Sequence, residues 1–189
     1  MKSFFAFLCL LLISGCTYSE LGRTSNFDNT STQGLALIGV SGKRDFSAWF
    51  AKFDPSTHRL LAGAFSGHEG IAHNGGEKIT YKLLSMSPGI YVVKNLQYRR
   101  YPTTHIYCLN KGTYQFEIKS GQIFYLGAIT LGSGSRIFAT KGSISEASKI
   151  MKEYPDVKGD ISTAELTPTY FNNGTDIFGR EVCGGYYFD

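Results

Sequence analysis

Short apolar or alternating segments, separated by turn residues, recur along this chain from residue 34 onwards. They cover residues 35–40, 47–53, 79–84, 90–93, 105–109, 114–118, 122–126 and 136–140. Each has the length of a strand, and a spacing of roughly 8–12 residues is typical of antiparallel sheets. Aromatic residues at 14% and 22 glycines favour the same class. The chain is therefore predicted to be mainly β, an antiparallel β-sandwich.

Two segments give finer expectations. Residues 35–40 are continuously apolar, which indicates a strand buried on both faces. In residues 114–118 the side chains of Tyr114, Phe116 and Ile118 alternate with polar ones, as in a half-buried strand. The turn Lys119-Ser120-Gly121 follows, so residues 114–126 are predicted to form a hairpin.

One helix is predicted over residues 143–154, at the periphery of the sandwich. Ser143 and Glu146 form a capping-box pattern, and Pro155 ends the helix. The apolar positions follow helical spacing: Ile144, Ala147, Ile150, Met151 and Tyr154. We interpret this stripe as a core-packing face.

The N-terminus has the features of an export signal. Lys2 precedes an apolar run over residues 4–13, too short to span a bilayer as a helix. The run ends in Ile13-Ser14-Gly15-Cys16, which resembles the bacterial lipobox. That resemblance implies a diacylglyceryl thioether on Cys16, cleavage before it, and an acyl chain such as palmitate on the freed amine. The alternative is an ordinary secretory signal cut elsewhere.

These features predict three parts of the chain. Residues 1–15 are the lipoprotein signal peptide, residues 16–33 the lipidated cysteine and a flexible tether, and residues 34–189 a single sandwich domain. Part of the polar segment 17–33 could instead lead into a strand.

Thr17, rather than Asp, follows the cysteine. Similarity to enteric lipoproteins then implies an outer-membrane location, facing the periplasm.

A second resemblance lies within residues 80–160. Pro88-Gly89-Ile90-Tyr91 and the later Gly121-Gln122-Ile123-Phe124-Tyr125-Leu126-Gly127 are similar to patterns in small uncharacterised bacterial envelope lipoproteins. Those proteins have sandwiches like transthyretin or the carboxypeptidase regulatory domain. The resemblance implies an anchored sandwich without catalytic residues.

The four cysteines have different expected roles. Cys9 leaves with the signal peptide and Cys16 carries lipid, so Cys108 and Cys183 remain. In an oxidising compartment two such cysteines invite a disulfide. The alternative is two unpaired buried thiols.

No metal or cofactor beyond the lipid on Cys16 is expected. His68-Glu69-Gly70-Ile71-Ala72-His73 separates its histidines by five positions, whereas a zincin helix needs four, and nearby glycines disfavour a helix. The isolated His58 and His105 are interpreted as surface or core residues. Gly132-Ser133-Gly134-Ser135-Arg136 lacks the lysine of a P-loop and fits a hairpin loop.

The compact basic and aromatic cluster is Tyr98, Arg99, Arg100 and Tyr101. Such residues can stack on rings and bind phosphates, but an envelope location disfavours nucleic acid. We therefore expect a binding loop for an envelope protein, a glycan or a lipid headgroup, or an edge strand guarded by charge. The expected function is non-catalytic binding or bracing within the envelope. Alternatives are a hydrolase that gathers His68 or His73 with carboxylates, and a ligand- or inhibitor-binding module.

Overall fold

The computed structural model describes residues 18–20, 22, 25–43, 45–61, 70–74, 76, 78–100, 103–132, 137–140, 143–172, 174–175, 181–182 and 186–187. Within these residues no helix is long and apolar enough to cross a membrane. In chain order the elements are β1 (Tyr18–Glu20), β2 (Gly34–Gly42), β3 (Asp45–Asp54), β4 (Arg59–Leu61), β5 (Gly70–Asn74), β6 (Thr80–Met86), β7 (Gly89–Arg100), β8 (Thr103–Cys108), β9 (Thr113–Ile118), β10 (Ile123–Leu131), β11 (Ile137–Thr140), α1 (Ile144–Met151), β12 (Ile161–Thr163), β13 (Thr167–Thr169), β14 (Gly174–Thr175), β15 (Glu181–Val182) and β16 (Tyr186–Tyr187).

The strands form two main sheets. The first has the order β1-β6-β2-β10-β11, with β12 also paired to β10. The second has the order β13-β9-β7-β3-β4-β16, with β5 beside β3 and β8 beside β7. Most pairs are antiparallel, but β10 runs parallel to β2 and β12, and β16 runs parallel to β4. A short pair, β14 and β15, lies outside both sheets.

Several turns carry the chain from one sheet to the other instead of folding it back. The turn after β9 is one of them, because β9 pairs with β7 and β13 whereas β10 pairs with β2, β11 and β12. The hairpin predicted over residues 114–126 is therefore wrong. Its two strands and its turn exist, but the turn chemistry of Lys119-Ser120-Gly121 does not specify where the second strand pairs.

The main core lies between the two sheets. The first sheet contributes Ala36, Ile38, Val40, Leu84, Met86, Leu126 and Ile129, and the second contributes Phe46, Ala48, Phe50, Tyr91, Val93, Leu96, Phe116 and Ile118. Phe50 and Phe116 meet edge to face with ring centroids 5.8 Å apart. Phe116 and Ile118 are buried while Glu117 between them is exposed, as the alternation predicted. The predicted fold class, a β-sandwich with one helix, is confirmed.

A second apolar cluster covers the outer face of the first sheet. Leu35 and Leu37 point away from the main core and pack with Tyr125 of β10 and with Ala147 and Tyr154 of the helical segment. Every residue of β2 is buried, so the prediction of a strand buried on both faces is confirmed. The helix is peripheral to the sandwich, and its apolar stripe packs onto the sheet.

Helix α1 starts where the capping pattern predicted and ends earlier. Ser143 is the N-cap, and its hydroxyl accepts a hydrogen bond of 3.2 Å from the amide of Glu146. At the other end the amides of Glu153 and Tyr154 each bond to the carbonyl three residues before, at 3.0 Å. Such tight bonds replace the α-helical pattern in the last turn, so the helix ends at Met151 instead of residue 154.

A third cluster lies on the outer face of the second sheet. Ala51, Phe53, Leu60 and Val92 pack there against Phe171, which is almost fully buried. The amide of Phe171 donates to the carbonyl of Asn110 at 3.2 Å. The chain after β13 thus crosses and covers this part of the sheet.

Candidate functional site

The first described segment, β1, pairs with β6 at the edge of the first sheet. Tyr18 lies opposite Met86, the last residue of β6, and Glu20 lies opposite Leu84. Met86 also lies opposite Gly34, the first residue of β2. Residues 18–20 therefore form an edge strand where a flexible tether was predicted. The strand lead-in that the sequence also allowed is what the structure has here.

Residues 25–33 are likewise held against the domain. The buried Phe27 donates its amide to the carbonyl of Asp156 at 3.4 Å and accepts from the amide of Lys158 at 2.8 Å. Further on, the carbonyl of Gln33 accepts from the amide of Gly121 at 2.8 Å. This segment belongs to the folded unit, which starts well before the predicted boundary at residue 34.

The turn between β6 and β7 is fixed by a tyrosine. The hydroxyl of Tyr91 donates to the carbonyl of Ser87 at 2.8 Å and lies 3.0 Å from the Ser87 hydroxyl. Burial raises the pKa of Tyr91 above its usual value. Gly89 supplies a φ of 146°, which side-chain-bearing residues rarely adopt. The Pro-Gly-x-Tyr pattern of the sequence thus encodes a rigid turn.

A carboxylate and two tyrosines join α1 to the first sheet. Glu146 Oε1 accepts from the hydroxyl of Tyr81 at 2.5 Å, and Glu146 Oε2 accepts from the hydroxyl of Tyr125 at 2.7 Å. Tyr81 lies on β6 and Tyr125 on β10, while Glu146 is in the first turn of the helix. We call these three residues the tyrosine clamp.

The electrostatics of the tyrosine clamp favour holding over proton transfer. The hydrogen bonds from Tyr81 and then Tyr125 lower the pKa of Glu146, with a smaller contribution from the Ser143 amide. Burial, followed by the bond to Glu146, raises the pKa of Tyr81 and of Tyr125. A general acid or base works best with a pKa near the operating pH. Each shift moves a group away from neutral pH.

A second polar cluster lies at the turn between β3 and β4. The carboxylate of Asp54 accepts from the amide of Ser56 at 2.9 Å, from its hydroxyl at 2.6 Å and from the hydroxyl of Thr57 at 2.8 Å. These bonds, the Ser56 hydroxyl first, lower the pKa of Asp54 to about 2. All three bonds lie within the turn, so this carboxylate stabilises the turn conformation.

His58 ends this turn in an uncommon conformation. Its φ is 54°, in the left-handed region, and its ring stacks on Tyr170 with centroids 4.1 Å apart and planes 8° apart. The Nδ1 atom of His58 donates to the Tyr170 carbonyl at 3.2 Å, and the His58 carbonyl accepts from the Asn172 amide at 2.7 Å. His58 therefore holds the C-terminal segment against this turn. It is partly buried, between the surface and core interpretations that the sequence left open.

The predicted cysteine sites are only partly described. Cys108, the last residue of β8, is disulfide-bonded. Its predicted partner Cys183 and the predicted lipid site Cys16 lie outside the described residues. The pairing of Cys108 with Cys183 and the lipidation of Cys16 stay predictions.

The basic and aromatic cluster lies on a strand more than on a loop. The backbone of Tyr98, Arg99 and Arg100 forms the end of β7 and pairs with β8, while Tyr101 lies outside the described residues. The backbone of these three residues is therefore a paired strand and not a loop, and their binding role stays a prediction.

The histidine-rich segment is also a strand where it is described. Gly70–Asn74 pairs with β3, and His73 lies opposite Phe46. His68 and Glu69, like residues 133–136 of the glycine-rich loop, lie outside the described residues. Among the residues described, no three His, Cys, Asp or Glu side chains are grouped to hold a metal ion.

The sequence indicated one member of the tyrosine clamp and missed two. The capping pattern placed Glu146 in the first helical turn, yet Tyr81 and Tyr125 are 65 and 21 residues away. Both tyrosines stood in strand segments, where nothing in the local pattern marks a hydroxyl that bonds to a helix.

Comparison with known proteins adds no relative. No family model matches the chain, no curated protein matches it, and no solved structure matches the fold. The resemblance to envelope lipoproteins with transthyretin-like or carboxypeptidase-regulatory-like sandwiches stays a prediction.

Proposed function

We propose that the protein is a bacterial lipoprotein, anchored by lipid on Cys16 to the outer membrane and facing the periplasm. We propose that its β-sandwich binds or braces another envelope component without catalysis. The observation that carries the proposal is the lipobox-like Ile13-Ser14-Gly15-Cys16 after a short apolar run. Several acyl chains on one cysteine would bind a membrane firmly, at about 0.8 kcal/mol per buried CH₂. The disulfide at Cys108 agrees with an exported protein.

The anchor is tested by mass spectrometry of the mature N-terminus, with two matched cysteine variants. Wild type and Cys9→Ser are expected to yield a lipid-modified Cys16 as the first residue, because Cys9 leaves with the signal peptide. Cys16→Ser is expected to lose the lipid and the membrane association. An intact, unmodified Met1 terminus on the wild-type protein would disprove the anchor.

The choice of membrane is tested at the next residue. Thr17→Asp introduces the residue that, in lipoproteins of enteric type, favours retention in the inner membrane. Wild type is expected in the outer-membrane fractions of a density gradient, and Thr17→Asp in the inner-membrane fractions. Identical fractionation of both proteins in the inner membrane would contradict the outer-membrane assignment.

The binding role is tested with a photo-crosslinking amino acid at Arg99 in living cells. Arg99 lies on the β7–β8 pair, opposite Thr104, and the exposed Lys152 at the end of α1 is a control position. The proposal expects one envelope protein or glycan captured from Arg99 and not from Lys152. No specific capture from Arg99 would remove the proposed binding site.

A further inference from the structure

The distance between the lipid site and the first strand is short. Only Thr17 separates Cys16 from Tyr18, where β1 begins. Two virtual bonds between consecutive Cα atoms span at most about 7 Å, whatever conformation Thr17 adopts. The headgroup layer on each side of a bilayer is itself about 6 Å thick. Tyr18, the first residue of β1, can therefore lie no farther out than about the outer edge of that layer.

The register of β1 shows which end of the sandwich meets the bilayer. Tyr18 lies opposite Met86 at the end of β6, and β1 then runs antiparallel to β6, away from that end. Gly34 begins β2 opposite the same Met86. The amide of Leu35 bonds to the carbonyl of Gln122 at 2.9 Å. We call this end, formed by Tyr18 and residues 33–34, 86–89 and 119–122, the anchor end.

The anchor end is rigid, and its described exposed residues are polar except for Pro88. Tyr91 ties down the turn at Ser87, and the amide of Gly121 and the hydroxyl of Ser120 bond to the carbonyls of Gln33 and Thr32. Pro88 and residues 119, 120 and 122 are exposed. Lys119 Nζ lies 3.4 Å from Glu117 Oε2 in a salt bridge, and both side chains are more than half exposed. Such a surface suits hydrated lipid headgroups and does not require insertion into hydrocarbon.

We infer that the anchor end of the lipidated protein lies against the phospholipid headgroups and that β7 projects away from the membrane. This inference rests on the proposed lipid anchor. β7 starts at Gly89, in the anchor end, and its 12 residues end at Arg100, which places Arg100 about 35 Å farther out. The β7–β8 tip is then displayed to the periplasm, toward a protein or glycan and away from the protein's own bilayer.

Single-cysteine labelling tests the orientation. Ser120→Cys marks the anchor end, Ser148→Cys marks the exposed side of α1, and Lys78→Cys marks the opposite end beside the start of β6. Each lipidated protein receives a thiol-reactive fluorophore without reductant and is reconstituted into phosphatidylcholine vesicles carrying a headgroup-level quencher. The protein without an added cysteine must stay unlabelled.

The expected result is several-fold stronger quenching at Ser120→Cys than at Lys78→Cys, with Ser148→Cys in between. Equal quenching at all three positions, or strongest quenching at Ser148→Cys, overturns the orientation while the anchor stands. Failure of the labelled proteins to float with the vesicles overturns the anchor and the orientation together.

A linker variant isolates the short connection as the cause. A Gly/Ser insertion of about 15 residues between Thr17 and Tyr18 gives the domain an average reach of roughly 20 Å. Flotation should persist, and the difference between Ser120→Cys and Lys78→Cys should disappear. An unchanged difference would show that the orientation comes from the surface itself, and would overturn the argument from tether length.

Discussion

Tyr125 donates its hydroxyl to Glu146 at 2.7 Å, joining β10, near its start, to the first turn of α1. Glu146 also accepts from Tyr81, so one carboxylate connects two strands to the helix. Hydrogen bonds to a charged acceptor stabilise more than neutral ones. The capping pattern sets where the helix begins, and the apolar stripe sets which face of the helix is buried. The tyrosine clamp bonds the helix to two strands and so fixes its position on the sheet.

Removing the charge of the tyrosine clamp should destabilise the fold. Glu146→Gln and Tyr125→Phe are each expected to lower the free energy of unfolding by about 1–2 kcal/mol, measured by urea denaturation. Because the two groups contact each other, the double variant should lose less than the sum of the single losses. Glu165→Gln, the same substitution at an exposed position, should change little. Strict additivity in the double-variant cycle would contradict the contact.

The clamp also predicts a pH dependence. The tyrosine bonds lower the pKa of Glu146 in the folded state. The ionised carboxylate therefore contributes its full stabilisation of the fold above the unfolded-state pKa of about 4.3. This contribution is lost as the pH falls through the lower folded-state pKa. The stability difference between wild type and Glu146→Gln should therefore shrink below about pH 4. Parallel curves for the two proteins between pH 3 and pH 7 would rule out the charge as the cause.

Alanine substitutions at three glycines distinguish the cost of a left-handed backbone from the cost of a steric clash. At Gly121 φ is 66° and an added Cβ would lie 2.2 Å from the Asn29 carbonyl oxygen; at Gly76 φ is 100° with open space; at Gly112 neither restriction applies. A left-handed conformation costs a residue with a side chain about 1–2 kcal/mol. Alanine should destabilise most at Gly121, by about that cost at Gly76, and not at Gly112. The melting temperatures of the three variants check this order.

Much of the fold could be predicted because local patterns report burial. The continuous apolar run of β2 indicated two covered faces, and the alternation around Phe116 indicated one. Ser143 and Glu146 marked the start of the helix for the same reason, since capping uses neighbours in sequence.

Features set by distant partners could not be predicted in this way. Residues 119–121 signal a turn equally well whether β10 pairs back with β9 or, as observed, runs parallel to β2 in the facing sheet. Tyr81 and Tyr125 carry no local mark of their bond to Glu146. The polar composition of residues 17–33 indicated a tether, whereas single contacts, such as the burial of Phe27, hold part of it on the domain.

His58 offers a test of backbone strain against ring stacking. His58→Gly removes the stack on Tyr170 and relaxes the left-handed backbone, while His58→Ala removes the stack and keeps the strain. The glycine variant should therefore be more stable than the alanine variant by about 1 kcal/mol, measured by chemical denaturation. If alanine is the more stable of the two, the left-handed conformation at residue 58 is not a cost to the fold.

Cys108 gives the last prediction, because its disulfide should tie the end of β8 to the C-terminal residues. Peptide mapping without reductant is expected to recover one linked peptide pair that contains Cys108 and Cys183. Thiol alkylation of the unfolded, unreduced protein should label neither cysteine, while in Cys183→Ser it should label Cys108. Loss of the bridge should lower the free energy of unfolding by about 2–5 kcal/mol. Labelling of both cysteines in the wild type, or a peptide linked to a second copy of the chain, would refute the intramolecular bridge.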